Sequence, residues 1–156
     1  MNNTSTKTLP MDELCPIIEE VVSKGGRFNL ITAGTSMLPL LRNRKDTVVL
    51  EAKCGRLKKY DIPLFRTRDG RYLLHRVVKV LDNSYNTCGD NRIKIEKGIR
   101  DDDIIAVVHS VIREGREISF DSFGYKLYVR VWCSFMPLKF LLTRFVGVIR
   151  KFHDFS

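Results

Sequence analysis

The stretch Gly34-Thr35-Ser36-Met37-Leu38-Pro39 joins a strand-like run, residues 27–33, to a sharp turn. Ser36 follows a Gly-Thr turn and precedes a helical turn that Pro39 is expected to start. Such a corner exposes the serine hydroxyl and directs the free backbone N–H groups of Ser36 and Met37 to the same point. A hydroxyl beside free N–H groups suits nucleophilic attack and stabilisation of an oxyanion. The alternative is a serine that only caps a helix.

Two further motifs follow downstream, His75-Arg76-Val77-Val78 and Gly89-Asp90-Asn91. A histidine is a natural general base, because free imidazole titrates near pH ~6.5 and is available in its neutral form at pH 7. A carboxylate on the other ring nitrogen fixes the tautomer of such a base. The alternatives are a buried strand histidine at position 75 and an Asx-turn residue at position 90. Lys79 is four strand residues from His75, a distance of ~13 Å along the strand, and therefore does not replace it as the general base.

Together these motifs resemble the type I signal peptidase and LexA-like serine peptidase superfamily. The shared pattern is G-x-S-M-x-P, a strand ending in aspartate, H-R-V-V and G-D-N, and it covers residues 28–111. One branch, found in the endoplasmic reticulum, in archaea and in spore formers, has histidine where other members have a lysine base. His75 occupies that position, so the chain is similar to the histidine branch. It departs from the family pattern at Gly34, which is serine in some bacterial members, and at Tyr60-Asp61, where Gly-Asp is usual.

The resemblance implies a role for each motif residue. Ser36 would be the nucleophile, His75 the general base and Asp90 a supporting acid. A second family aspartate, just before the last strand, falls on Asp102 or Asp103, and we assign it to Asp103. The implied substrate is an extended peptide with small residues beside the cut, such as a leader or signal-like peptide. The implied fold is the coiled or barrel-like sheet of that superfamily.

Composition is that of one ordinary globular domain, since 156 residues with 44% hydrophobic and 29% charged content can bury a core. The four cysteines are scattered without a C-x-x-C pair, which predicts free thiols rather than a disulfide framework or a zinc site. We therefore expect neither a metal nor a cofactor. The first ten residues are polar, so no secretory leader is expected.

Short apolar runs between turn signals predict a mostly β fold with a short N-terminal helix and C-terminal amphipathic helices. The helix is predicted at 16–24, before Gly25-Gly26. Strands are predicted at 27–33, 46–52, 62–67, 71–81, 85–88, 104–113 and 116–120, with hairpin turns at 68–70 and 114–115. We divide the chain into a flexible N-terminus (1–10), a peptidase-like β domain (11–122) and a basic amphipathic helical segment (123–156).

The predicted helical segment 123–156 is rich in both basic and apolar residues. Residues 125–156 carry six Lys/Arg and a single acidic residue, Asp154, within a formal net charge of +9. As a helix, 138–152 would present one apolar face and one basic face. An anionic membrane surface is one candidate partner for 125–152, and no specific nucleic acid is expected. The alternatives are a helix docked on the protein's own core and a helix that fills a partner's groove.

These observations predict a serine endopeptidase with a Ser/His mechanism that cleaves a leader or signal-like peptide near the membrane. We expect it to be membrane-associated on the cytoplasmic side, and otherwise cytoplasmic. The alternative function is a catalytically inactive peptide-binding module of the same fold, whose sheet edge pairs with an extended segment.

Overall fold

The structure, a computed structural model, describes residues 9–120 and 122–135. The fold is mostly β, as predicted, with a helix at each end of the described chain. Helix α1 spans Met11–Ser23 and helix α2 spans residues 123–135. The strands are β1 (Phe28–Ile31), β2 (Asp46–Glu51), β3 (Pro63–Arg66), β4 (Tyr72–Leu74), β5 (Arg76–Leu81), β6 (Ser84–Cys88), β7 (Ile95–Ile99), β8 (Ile104–Arg113) and β9 (Arg116–Ser119).

Helix α1 begins at Met11, five residues before the predicted start. Asp12 and Glu13 lie in its first turn, where carboxylates are stabilised by the helix dipole. Ile18 and Val22 are four residues apart and are buried against the sheet, which is the amphipathic spacing that holds a helix on a core. The helix ends where predicted, because Gly25 adopts a φ of +77° that favours glycine.

The strands form two antiparallel sheets. The larger sheet has the order β1-β2-β8-β3-β4, with β9 also paired to β8, and it curls into a half-barrel. Register shifts at Val49/Leu50 and Leu64/Phe65 mark irregularities of the kind that bend strands and increase their twist. The smaller sheet has the order β5-β6-β7. Both predicted hairpins form, β3-β4 and β8-β9.

The predicted strand 71–81 is divided, and this division positions the site. Its first part, β4, pairs with β3 in the larger sheet, whereas β5 pairs with β6 in the smaller one. His75 lies at the break between them. Strand β7 was not predicted, and the helical turn expected at Pro39 is a series of hydrogen-bonded turns over 36–40.

Two apolar clusters hold this arrangement. The first lies between α1 and the larger sheet and includes Ile18, Val22 and Leu50. The second joins the two sheets, since it contains Phe65 of β3, Val77 of β5, Tyr85 of β6 and Ile99 of β7. Burial of these side chains fixes the sheets relative to each other. Elements from both sheets therefore reach the residues around His75.

Helix α2 packs on the body of the protein. Tyr125 stacks on Phe120 with ring centroids 4.0 Å apart, and Val129 is buried. Within its described part, the segment thus follows the alternative of a helix docked on the protein's own core. The predicted helix 138–152 lies outside the described residues, as do 1–8 of the predicted flexible terminus. No helix in the described ranges is both long and apolar enough to cross a bilayer.

Candidate active site

The loop that carries Ser36 is held in place by the buried carboxylate of Asp46. Asp46 accepts hydrogen bonds from Arg42 and Arg113, and its backbone oxygen accepts from the Thr32 hydroxyl at 3.0 Å. Arg113 also donates to the Leu40 carbonyl at 2.6 Å. Burial alone would raise the pKa of Asp46, but the two arginines outweigh it and lower the pKa to about 2. A carboxylate that is charged at neutral pH therefore anchors the loop that carries Ser36.

His75 is enclosed at the junction of the two sheets. Its Nδ1 lies 2.8 Å from Oε2 of Glu96, and the two side chains are only 5% and 15% exposed. Phe65 contacts the ring edge-on, with centroids 6.3 Å apart. A carboxylate that accepts the Nδ1–H leaves Nε2 unprotonated in the neutral ring. Glu96 thus fixes the tautomer that a general base needs.

Gly89 brings Ser36 and His75 together. A Cβ atom at Gly89 would lie 2.6 Å from the Ser36 carbonyl oxygen and 3.0 Å from Nε2 of His75. Both groups therefore adjoin the same small space, which only a residue without a side chain leaves open. Among the described residues, the hydroxyl of Ser36 makes no hydrogen bond to the His75 ring. The Ser36 backbone and the His75 ring thus both lie against Gly89.

Asn91 makes two hydrogen bonds to the turn that carries Ser36. Its backbone N–H donates to the Ser36 carbonyl at 2.8 Å, and its side-chain amide donates to the Thr35 carbonyl at 3.3 Å. Within the part of the chain that the structure describes, the N–H groups of Ser36 and Met37 have no hydrogen-bond acceptor. That these two N–H groups bind an oxyanion stays a prediction from the sequence.

Asp90 binds Arg76 rather than His75. Its two carboxylate oxygens accept from Arg76 Nε and Nη2 at 2.8 and 2.7 Å, and neither side chain has any exposed surface. Arg76 also donates to the Tyr60 carbonyl and to the Tyr125 hydroxyl. Burial lowers the pKa of Arg76, but the Asp90 carboxylate more than offsets this and raises it overall. Asp90, which the family resemblance implies as a supporting acid, therefore stabilises the turn between Gly89 and Asn91 through its ion pair with Arg76.

Asp103 binds the backbone rather than the imidazole. It lies in a 3₁₀ turn, Asp101–Asp103, and its carboxylate accepts the backbone N–H of Arg100 at 2.7 Å. Its neighbour Asp102 is exposed. The carboxylate on Nδ1 comes instead from Glu96 in β7, a strand without a clear alternating pattern. Sequence spacing gave no signal for Glu96, because the contact depends on β7 pairing with β6.

Three other polar residues, Lys79, His109 and Cys88, do not compete with Ser36. Lys79 is exposed, and His109 pairs with Glu51 at 3.2 Å. Cys88 is buried, and this burial, with the charges of Glu96 and Asp90, raises the pKa of its thiol to about 11. A thiol that stays protonated at neutral pH is a poor nucleophile.

All four cysteines are free, as predicted. In the described ranges, no group of three or more His, Cys, Asp or Glu side chains is placed to hold a metal ion. Comparison of the chain with protein-family models, with curated proteins and with solved structures finds no match.

Proposed function

We propose that this protein is a serine endopeptidase in which Ser36 is the nucleophile and His75 the general base. One observation carries the proposal: Nε2 of a buried histidine, oriented by Glu96, adjoins the same space as the Ser36 backbone. A buried imidazole with one nitrogen bound to a carboxylate and the other directed at a serine turn is the arrangement of hydroxyl-based acyl transfer. The family resemblance of the motifs points the same way.

The reaction would proceed in two steps. His75 Nε2 takes the hydroxyl proton as Ser36 Oγ attacks the peptide carbonyl, while the N–H groups of Ser36 and Met37 bind the developing oxyanion. The C–N bond then breaks, and the imidazolium returns the proton to the leaving amine. Water, deprotonated by His75, hydrolyses the acyl-enzyme and regenerates the serine. Glu96 remains a carboxylate throughout and stabilises the imidazolium.

The substrate is proposed to be a leader or signal-like peptide bound as an extended strand. Strand β1 forms one edge of the larger sheet and ends at the exposed Ile31, five residues before Ser36 in the chain. A peptide that paired with this edge would be guided to the serine by main-chain hydrogen bonds. Small residues beside the cut follow from the family resemblance.

A second candidate function is peptide binding without turnover. It is favoured by the Ser36 hydroxyl, which makes no hydrogen bond to His75 in the described structure. Catalytic hydrogen bonds often tighten only when substrate is bound, so this geometry is compatible with both functions. The two are separated by whether a bound peptide is cleaved.

Cleavage of an internally quenched peptide library, with alanine fixed on the amino side of the central bond, tests the proposal. Ser36→Ala and His75→Ala should each lower kcat/KM by about 10³–10⁴-fold with the fold intact by circular dichroism. His109→Ala is the matched control, because that histidine pairs with Glu51 away from Ser36. Peptide binding without cleavage by the wild-type chain would favour the second function. Full activity in either site variant would remove that residue from the mechanism.

A further inference from the structure

Helix α2 has two apolar faces, only one of which is covered. Tyr125 and Val129 face the body of the protein. On the opposite side, four apolar residues follow one another at intervals of four and form a continuous row. We call this the outer row: Phe123 (82% exposed), Leu127 (52%), Val131 (49%) and Phe135 (54%). Large exposed apolar side chains in contiguous rows mark interaction surfaces.

The outer row has a basic border. Lys126 and Arg130 are exposed and lie along one side of it. Together with Lys58 and Lys59 they line an open groove of about 590 Å³ between α2 and the loop 52–61.

The two carboxylates in the same groove are already engaged. Glu51 pairs with Arg27 and His109, and Asp61 accepts the backbone N–H of Lys58 at 2.7 Å. The described lining of the groove contains these two carboxylates and five Lys/Arg, namely Arg56, Lys58, Lys59, Lys126 and Arg130, so it carries net positive charge beside the apolar row.

Charge decides which partner fits this surface. A second copy of the chain, with the same net charge of +9, would bring like charges together at the border. The chain's own residues 136–156 would do the same, since they contain four Lys/Arg and a single acidic residue. A bilayer with anionic headgroups is complementary to both parts, because it accepts apolar side chains at the interface and attracts the basic border.

We propose that the outer row and its basic border dock this protein on an anionic membrane surface, with α2 lying in the plane of the interface. The inner face of the same helix carries Tyr125, whose hydroxyl accepts a hydrogen bond from Arg76 at 2.9 Å. Arg76 is the residue next to His75. Docking would therefore place the proposed catalytic residues, Ser36 and His75, on the protein side of the lipid-bound helix. The inference does not depend on catalysis.

Co-sedimentation of the full chain with vesicles tests this surface. The wild-type chain should bind vesicles of mixed phosphatidylglycerol and phosphatidylcholine, and bind pure phosphatidylcholine weakly. The double variant Leu127→Glu/Val131→Glu should bind the anionic vesicles at least about 10-fold more weakly, because two apolar side chains no longer enter the interface. The charge-matched control Ile17→Glu/Val80→Glu changes two exposed apolar residues elsewhere and should retain more binding.

Three results would overturn the inference. The first is that the wild-type protein fails to bind anionic vesicles. The second is that the outer-row variant binds them as tightly as the charge-matched control does. The third is that the wild-type protein forms a dimer in lipid-free solution and the outer-row variant does not. Repeating the assay with Ser36→Ala keeps it independent of the proposed function. Equal vesicle binding by that variant is expected, whether or not the chain cleaves peptides.

Discussion

Nδ1 of His75 lies 2.8 Å from Oε2 of Glu96, and both side chains are almost fully enclosed by the protein. A carboxylate in this position accepts the Nδ1–H and leaves the second ring nitrogen unprotonated. That nitrogen adjoins the space beside Gly89 and the Ser36 carbonyl. Strand β7 thus supplies the orienting acid of the proposed catalytic site.

Glu96→Gln should lower kcat/KM by about 10²–10⁴-fold, because an amide orients the imidazole poorly and does not stabilise the imidazolium. Glu96→Asp keeps the carboxylate and should restore part of the rate. Steady-state kinetics of both variants measure the change. An unchanged rate in Glu96→Gln would show that Glu96 has no part in positioning His75.

Gly89→Ala should impair the site, because its new methyl group would overlap the Ser36 carbonyl and the His75 ring. Misplacement of reacting groups by about 1 Å can cost about 10²-fold in rate. Cleavage rate and thermal unfolding should both be measured. Gly124→Ala is the matched control, because the structure leaves open space at that position. Wild-type rates in Gly89→Ala would contradict the close approach of the two groups.

Asp90→Leu should lower the free energy of unfolding by roughly 3–5 kcal/mol, because it leaves the Arg76 guanidinium buried without its partner. The double variant Arg76→Met/Asp90→Leu should recover most of that stability, since it removes both charges together. Denaturant unfolding measures each value. Glu20→Gln, which breaks the exposed pair with Lys24, should change stability by less than about 1 kcal/mol. A double variant less stable than Asp90→Leu alone would contradict this account.

Acid should destabilise the fold through Asp46. Its folded pKa is lowered to about 2, below the unfolded value, so its contribution is complete above the unfolded pKa and is lost as pH falls towards 2. The shift corresponds to about 2 kcal/mol. Asp46→Asn should remove this contribution, so that unfolding free energy declines less between about pH 5 and pH 2. The exposed Asp82→Asn is the control. Identical pH dependence in Asp46→Asn and wild type would contradict the assignment.

The local signals of the sequence predicted most of the β framework. Gly25-Gly26 ended α1, and the turn residues around Gly70 and Gly115 correctly marked two hairpins, because glycine adopts the positive φ that these turns need. The run at 71–81 was misjudged for the opposite reason. The run contains no turn signal to show that β4 and β5 belong to different sheets, since that depends on which strands they pair with.

The sequence by itself determined the chemistry available to this protein: a serine on a turn, a histidine in a strand-like run, glycine beside aspartate, and a basic apolar C-terminal segment. Only the tertiary structure decided how those groups are partnered. In the folded chain, Glu96 contacts His75 and Asp90 pairs with Arg76, and α2 has one covered and one exposed apolar face. Local residue types fix turns, strands and charge, whereas the pairing of Glu96 with His75 and of Asp90 with Arg76 depends on long-range packing that brings β5, β6 and β7 together.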